Sequence, residues 1–385
     1  MSVRTSAVCH GRQGRCYFCD FLIFVACVFP HSPPKCLTLW PLIASIGKMV
    51  NYYHHNEPFA LELGGQLDEL RIAYHTYGTL NDDKSNVVWV CHALTANSDV
   101  QDWWPHTVEE GKFLDPAHNF VVCANILGSP YGTTSPLHTN PATGHPYFKD
   151  FPKYTIRDIV NAHRILADAL GIGHIDTLVG CSVGGFQAIE WAVMQPERFD
   201  RLVLMATDAV ATPWTIAIDE TMRMCIEADH TFGEPSADAG RKGLAAARAI
   251  GLLSYRGYYG YNLTQRDKEE LPEVHRASSY QQYQGEKLCR RFDAYSYYSI
   301  LNAFDTHDVG RGRSGLDEAL KRIKARTLVI GLETDIVFPP REMQELCSKI
   351  PGAVYGEIHS PFGHDGFLVE YNQLNNLLLP FMRMK

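Results

Sequence analysis

The residue in this sequence best placed to do chemistry is a serine framed by glycines, Gly180-Cys181-Ser182-Val183-Gly184-Gly185. An apolar, β-branched run at 175–179 precedes it, and a mostly apolar stretch with helical character, 184–195, follows. Where a strand turns sharply into a helix, a serine is held with its hydroxyl exposed, and glycines let the neighbouring backbone pass close. Such a hydroxyl attacks carbonyl carbon. The bland alternative is a serine that only caps the helix.

A serine hydroxyl needs a base, and the base needs a carboxylate to orient it. Downstream, Gly331-Leu332-Glu333-Thr334-Asp335 follows another apolar run, so Asp335 stands at the carboxyl end of a strand, where ligand chemistry collects. Glu333 is the second choice for the acid. Gly363-His364-Asp365-Gly366 then offers His364 in a glycine-flanked loop able to reach Ser182. The oxyanion of a tetrahedral intermediate needs two backbone N–H groups. Val183, next after the serine, supplies one. The second is expected in the loop His92-Ala93-Leu94-Thr95, from Leu94 or alternatively Ala93. The 17 histidines show no metal-ligand spacing, so no metal is expected.

The elements that must hold these groups can be read from the apolar runs at 87–91, 120–124, 175–179, 202–206 and 327–331. Continuous runs of that length suit strands covered on both faces. Residues 155–170 carry apolar side chains at helical spacing, and residues 58–80 read as an opening antiparallel pair of strands. Alternating strands and helices imply a mostly parallel central sheet with helices on both faces. With the serine motif, that is the α/β-hydrolase fold, its core formed by 49–208 and 326–385. Residues 209–325 are aromatic-rich, helix-like and poor in strand signals. They are expected to form a helical lid insertion; a separate structural domain is the alternative.

The net charge of −8 argues against a general nucleic-acid or anionic-membrane surface. Residues 1–48 differ from the rest: they are basic overall, and five of the 11 cysteines (Cys9, Cys16, Cys19, Cys27, Cys36) fall there. Residues 21–29 form an apolar run too short to span a bilayer comfortably. Met49 reads as the natural start and 1–48 as upstream sequence from a mis-called start. A targeting leader is the second reading, and a functional module around Cys16-Tyr17-Phe18-Cys19 the third. The remaining cysteines are scattered, which suits a reducing cytoplasm better than a disulfide framework.

From about Tyr53 to Leu379 the chain resembles the homoserine O-acetyltransferases of methionine biosynthesis, an acyl-CoA-dependent branch of the fold. The resemblance rests on His92-Ala93-Leu94-Thr95, Asn125-Ile126-Leu127-Gly128, Gly132-Thr133-Thr134, Arg157-Asp158 and the serine motif. Further pieces are Gly243-Leu244-Ala245-Ala246-Ala247-Arg248, Arg291-Phe292-Asp293-Ala294-Tyr295-Ser296-Tyr297 and His307-Asp308. It implies that Ser182, Asp335 and His364 are nucleophile, acid and base. It also implies that Arg223 holds the carboxylate of an amino-acid acceptor and Asp365 its ammonium. The expected reaction is ping-pong transfer of an acetyl group from acetyl-CoA, a co-substrate, to homoserine. No bound cofactor is implied, the partners are small molecules, and a homodimer through the lid is expected. The departures concern specificity: the stretch after Arg223 is short and lacks the family's Trp and Tyr landmarks, Val183 replaces a usual Met, and Ser129-Pro130 replaces a small-Cys pair. Succinyl-CoA as donor, serine as acceptor, water as acceptor (an esterase or thioesterase) and a non-catalytic binding protein are the rival readings.

Overall fold

Each of the five continuous apolar runs becomes a strand of one eight-stranded sheet, whose strands lie in the spatial order 51–55, 70–77, 120–124, 87–91, 175–181, 199–205, 326–332 and 354–358. The structure is a computed structural model; it describes residues 49–267 and 275–383. The expectations for residues 1–48, including the Cys16–Cys19 pair and the start at Met49, lie outside the described residues.

The strands are β1 (Asn51–His55), β2 (Phe59–Ala60), β3 (Gln66–Leu67), β4 (Leu70–Tyr77), β5 (Val87–Cys91), β6 (Phe120–Ala124), β7 (Ile175–Cys181), β8 (Phe199–Met205), β9 (Arg326–Leu332) and β10 (Val354–Ile358). Pairing is antiparallel for β1 with β4 and for β4 with β6, and parallel from β6 through β10. An antiparallel pair of strands does lie in 58–80, β2 with β3, but outside the main sheet. β4 takes its antiparallel partner from Asn51–His55, while β2 and β3 form a separate two-stranded ribbon. β1 is an edge strand with mostly exposed or half-exposed side chains, so its sequence, Asn-Tyr-Tyr-His-His, carries no apolar run. β10, the opposite edge, was hidden for the same reason.

The central strands are apolar on both sides because both sides are covered. Val87, Trp89 and Cys91 of β5 face one core with Leu178, Leu204 and Val329. Val88 and Val90 face the other with Val179, Val203 and Ile330. Each such side chain contributes roughly 1.5–3 kcal/mol on burial. The helices over the sheet and at its ends are α1 (Val100–Trp103), α2 (Ile156–Ala169), α3 (Val183–Met194), α10 (Pro340–Lys349), α11 (Gly366–Val369) and α12 (Tyr371–Arg383). Between β8 and β9 come α4 (Pro213–Glu227), α5 (Arg241–Tyr255), α6 (Tyr258–Gln265), α7 (Arg276–Cys289), α8 (Ala294–Phe304) and α9 (Leu316–Leu320).

α2 starts where its cap dictates. Thr155 accepts a hydrogen bond from the Asp158 N–H, and the Asp158 carboxylate accepts one from the Thr155 N–H. The stretch between β8 and β9 is helical among the described residues, and its ends are pinned together. Val210 and Asp308 form an antiparallel bridge, flanked by hydrogen bonds from Ala211 N–H to the His307 carbonyl and from Val309 N–H to the Ala209 carbonyl. The chain therefore leaves and re-enters the sheet at one neck. Cys91, Cys123, Cys181, Cys225, Cys289 and Cys347 are all unpaired. The first three are fully buried in central strands, where burial pushes the thiol well above its usual range.

Candidate active site

β7 runs straight into α3, and the single residue between them is Ser182. Its φ of 56° and ψ of −130° are a left-handed, strained conformation for a residue with a side chain, one that costs about 1–3 kcal/mol. Backbone contacts hold it: the Ser182 N–H donates to the Met205 carbonyl of β8 at 2.9 Å, and the Gly185 N–H donates to the Ser182 carbonyl at 2.8 Å. The glycines after the serine are steric requirements. A Cβ on Gly184 would overlap the Cys91 carbonyl at the end of β5, and one on Gly185 would overlap the Thr207 side chain.

The other two predicted residues meet this serine across long chain separations. His364 Nε2 lies 2.8 Å from Ser182 Oγ, and His364 Nδ1 lies 2.8 Å from Asp335 Oδ2. Asp335 sits in the turn after β9 with its other oxygen, Oδ1, accepting the Val337 and Phe338 N–H groups at 2.7 and 3.2 Å. One carboxylate oxygen is thereby anchored and the other is left for the imidazole. The His364 loop is fixed in turn: the Thr334 hydroxyl accepts from the Gly363 N–H and donates to the Ser360 carbonyl. Tyr255, Phe338 and Phe367 surround the ring with centroids 5.5–5.7 Å away. Burial lowers the His364 pKa, but the charge and hydrogen bond of Asp335, with the charge of Asp365, outweigh it and leave the pKa above the ordinary imidazole value. Glu333, the second choice for the acid, pairs instead with exposed His359.

Ser182 and His364 open onto a cavity of about 110 Å³ lined also by Ala93, Leu94, Val183, Asp219, Arg248, Tyr255 and Asp365. Val183 is the first residue of α3, so its N–H has no acceptor within the helix. Among the described residues, no protein acceptor takes the Leu94 or Val183 N–H. Both oxyanion candidates line the cavity onto which Ser182 opens, and Ala93 lines it too.

The loop that carries Leu94 is positioned by a residue whose role the sequence did not announce. His92 is fully buried; its Nε2 accepts the Ile126 N–H at 3.1 Å, and its Nδ1 lies 2.8 Å from the Ala93 carbonyl. That pattern assigns the proton to Nδ1. Burial lowers its pKa to about 4, so the ring stays neutral. Gln187 of α3 donates to both the His92 and Val183 carbonyls, joining the two segments that carry the oxyanion candidates.

Asp365 reaches the cavity, where its Oδ2 is paired with Arg256 Nε at 2.8 Å. Arg223, expected to reach an acceptor carboxylate, is placed elsewhere. It does not line the cavity; its guanidinium is tied to Glu220 at 2.7 Å and to Asp305 at 2.6 Å. Its Nη1 is buried without a hydrogen-bond partner among the described residues. The physical reason is local: Asp305 follows the last turn of α8, directly behind the cavity residue Phe304, and a buried guanidinium takes the nearest carboxylates. Among the described residues, no group of three His, Cys, Asp or Glu side chains could hold a metal.

A strained serine at a strand-to-helix turn, an acid after a later strand and a histidine beyond it form the candidate site of an α/β-hydrolase-fold enzyme. The α/β-hydrolase-fold family matches residues 86–371. The homoserine O-acetyltransferase of Cyclobacterium marinum is 45% identical over 329 residues, 86% of this chain and 94% of that protein. That of Thermus thermophilus is 41% identical and covers 86% of this chain and 90% of its own. Among solved structures, the homoserine O-acetyltransferase of Bacillus anthracis superposes with a TM-score of 0.81 at 25% identity, over 88% of this chain and 98% of that one. Esterase E22 superposes with a TM-score of 0.80 at 25% identity, over 87% and 100%. The chain belongs to the homoserine O-acetyltransferase family.

Proposed function

We propose that this enzyme transfers an acetyl group from acetyl-CoA to the hydroxyl of L-homoserine through an acetyl-Ser182 intermediate. The observation that carries the reading is the continuous contact from Asp335 through His364 to Ser182 on the wall of a small charged cavity. Family membership supports the choice of donor and acceptor.

In the first half-reaction, His364 Nε2 takes the Ser182 proton while Oγ attacks the thioester carbonyl. The Val183 and Leu94 N–H groups receive the oxyanion. As the C–S bond breaks, the same imidazole returns the proton to the CoA sulfur. In the second half-reaction, His364 takes the proton of the acceptor hydroxyl, whose oxygen attacks the acetyl carbonyl. The Ser182–acetyl bond then breaks, and the proton returns to Ser182 Oγ. Asp365 presents its carboxylate to the acceptor's ammonium from the residue after the base. The cavity is smaller than the roughly 300–1,000 Å³ of drug-sized sites, which suits an acceptor of few atoms with the bulk of CoA outside it. The setting is methionine biosynthesis in the cytoplasm, in a homodimer. No helix among the described residues is long and apolar enough to cross a membrane.

Similarity to esterase E22 keeps one other reading in play, hydrolysis by the same three residues. The experiment is CoA release from acetyl-CoA, measured with and without L-homoserine, extended to succinyl-CoA and to L-serine. Acceptor-dependent release fastest with acetyl-CoA and homoserine is expected. A rate indifferent to homoserine sinks the transferase reading, and a preference for succinyl-CoA or serine reassigns the substrates.

A further inference from the structure

The two N–H groups expected to receive the oxyanion sit on different segments. Leu94 is on the loop after β5, and Val183 opens α3. Two donors that serve one oxygen must be held at a fixed separation, because donors already in place need no rearrangement at the transition state. The two segments touch: a Cβ on Gly184 would lie 2.0 Å from the Cys91 carbonyl oxygen and 3.1 Å from that of His92. Van der Waals contact has little directionality, so the register between loop and helix needs hydrogen bonds.

Gln187 supplies them. It is fully buried on α3, one turn after Val183, and a helical side chain leans back over the turn before it. Its Nε2 donates to the Val183 carbonyl at 3.1 Å and to the His92 carbonyl at 3.4 Å. Among the described residues, no other side chain bonds to both segments, and no other donor reaches the buried His92 carbonyl. The far end of the loop is fixed separately. There the Ser98 N–H donates to Asn125 Oδ1 at 2.8 Å, and Arg291 donates to the Thr95 carbonyl.

The orientation of the amide is fixed too. Gln187 Oε1 lies 2.9 Å from His163 Nε2, and burial lowers the His163 pKa to about 4, so that ring is neutral. An amide whose NH2 serves two carbonyls offers only its oxygen to the imidazole, so Nε2 of His163 carries the proton and donates it. A flipped amide would set its oxygen against two carbonyl oxygens. The His163 ring is itself held by Trp89 and Trp191, with centroids 5.9 Å from each. Every member of this chain of contacts, from the two tryptophans to His92, is buried.

We propose that Gln187 is a positioning residue for oxyanion stabilisation, holding the Leu94 and Val183 N–H groups at the separation that one carbonyl oxygen needs. The proposal rests on the acetyl-Ser182 reading and on these two donors. Gln187 does not line the cavity, and none of its hydrogen bonds goes to Ser182, Asp335 or His364. It therefore acts on the rate of acylation, apart from substrate binding and apart from the base.

The test is single-turnover release of CoA from acetyl-CoA, without acceptor, by wild type, Q187M and Q187E. Methionine keeps the volume and removes both donors. Glutamate keeps the shape and turns an oxygen toward both carbonyls. The maximal acylation rate should fall by about 10–100-fold, the scale of a misplaced oxyanion donor. The acetyl-CoA concentration giving half that rate should stay within about threefold. The limb of the pH profile set by His364 should keep its midpoint. The infrared carbonyl stretch of the isotopically labelled acetyl-Ser182 enzyme should move to higher wavenumber, reporting weaker hydrogen bonds to that oxygen. An unchanged acylation rate in folded Q187M or Q187E, an unmoved stretch, or a pH midpoint that shifts with the rate overturns the proposal. Wild type that neither releases an equivalent of CoA nor carries acetyl on Ser182 overturns the acyl-enzyme reading itself, a result seen before any variant is compared.

Discussion

The guanidinium of Arg223 lies 2.6 Å from the carboxylate of Asp305, joining α4 to the end of α8. This pair turns an expected substrate ligand into a brace inside the helical segment. Arg223→Gln is expected to cost about 2 kcal/mol of stability, within the range for a hydrogen bond between charged groups. The cost should depend on pH. Asp305 and its neighbour Asp219 have carboxyls raised above the ordinary 3.8 by burial, and Arg223 opposes that rise. Removing Arg223 raises both further. A group whose folded pKa is raised contributes stability below its unfolded value and loses it as pH increases. Urea unfolding should therefore show a smaller loss near pH 4 than near pH 7. An equal loss at both would mean that Arg223 does not neutralise this pair.

Ser182→Ala should reduce acyl transfer by about 10⁴-fold or more, and a fluorophosphonate should no longer label the protein. Asp335→Asn should cost about 10²–10⁴-fold in kcat while leaving the fold intact. The reason is the way Asp335 is anchored. Its Oδ1 accepts two backbone N–H groups, so an asparagine must place its oxygen there and its NH2 toward His364 Nδ1. That forces the imidazole proton onto Nε2, facing Ser182, where the base should be. Near-normal turnover in this variant would show that the imidazole is not oriented by residue 335.

The base limb of the pH profile follows from His364. Only the neutral imidazole takes the serine proton, and its pKa is raised above 6.5 by Asp335 and Asp365 against the effect of burial. The kcat/KM for the acyl donor should therefore fall on acidification with a midpoint above 6.5. Asp365→Asn removes one of the raising charges and should move that midpoint to lower pH. A limb that stays in place, measured with a small acetyl ester, would exclude any electrostatic coupling between the adjacent residues.

Glu190 is the buried anion on which the base of α3 depends. Its side chain is 2% exposed and bridges Arg157 and Arg313, the latter from the loop that re-enters the sheet. Glu190→Ala leaves Arg313 without its carboxylate and Arg157 with Glu62 alone, and should cost about 3–5 kcal/mol, read as a shift in urea midpoint at unchanged slope. A loss below 1 kcal/mol would mean that water replaces the carboxylate there. Because α3 begins at the residue after Ser182, some activity loss should accompany the destabilisation.

By itself the sequence determined everything that depends on a residue's immediate neighbours. The central strands announced themselves because both of their faces are buried, so each carries a continuous apolar run. Ser182 was legible because the turn that holds it excludes side chains at Gly184 and Gly185, and that exclusion is written as glycine. Asp335 was found by its place after a strand, and His364 by its glycine-flanked loop and by chain order. The edge strands β1 and β10 were not legible, since a half-solvated strand carries no continuous apolar signal. Nor was the job of His92, which depends on the Ile126 N–H 34 residues away.

Tertiary structure alone decided which arginine faces the cavity. Arg223 and Arg248 look alike in sequence, both on helices of the segment between β8 and β9. What separates them is whether a carboxylate lies close enough to take the charge. Asp305 lies beside Arg223, 82 residues along the chain, while no carboxylate of the described residues pairs with Arg248. Charge pairing at a few ångströms falls off with distance in space and carries no trace in sequence spacing, so only the folded chain could assign it.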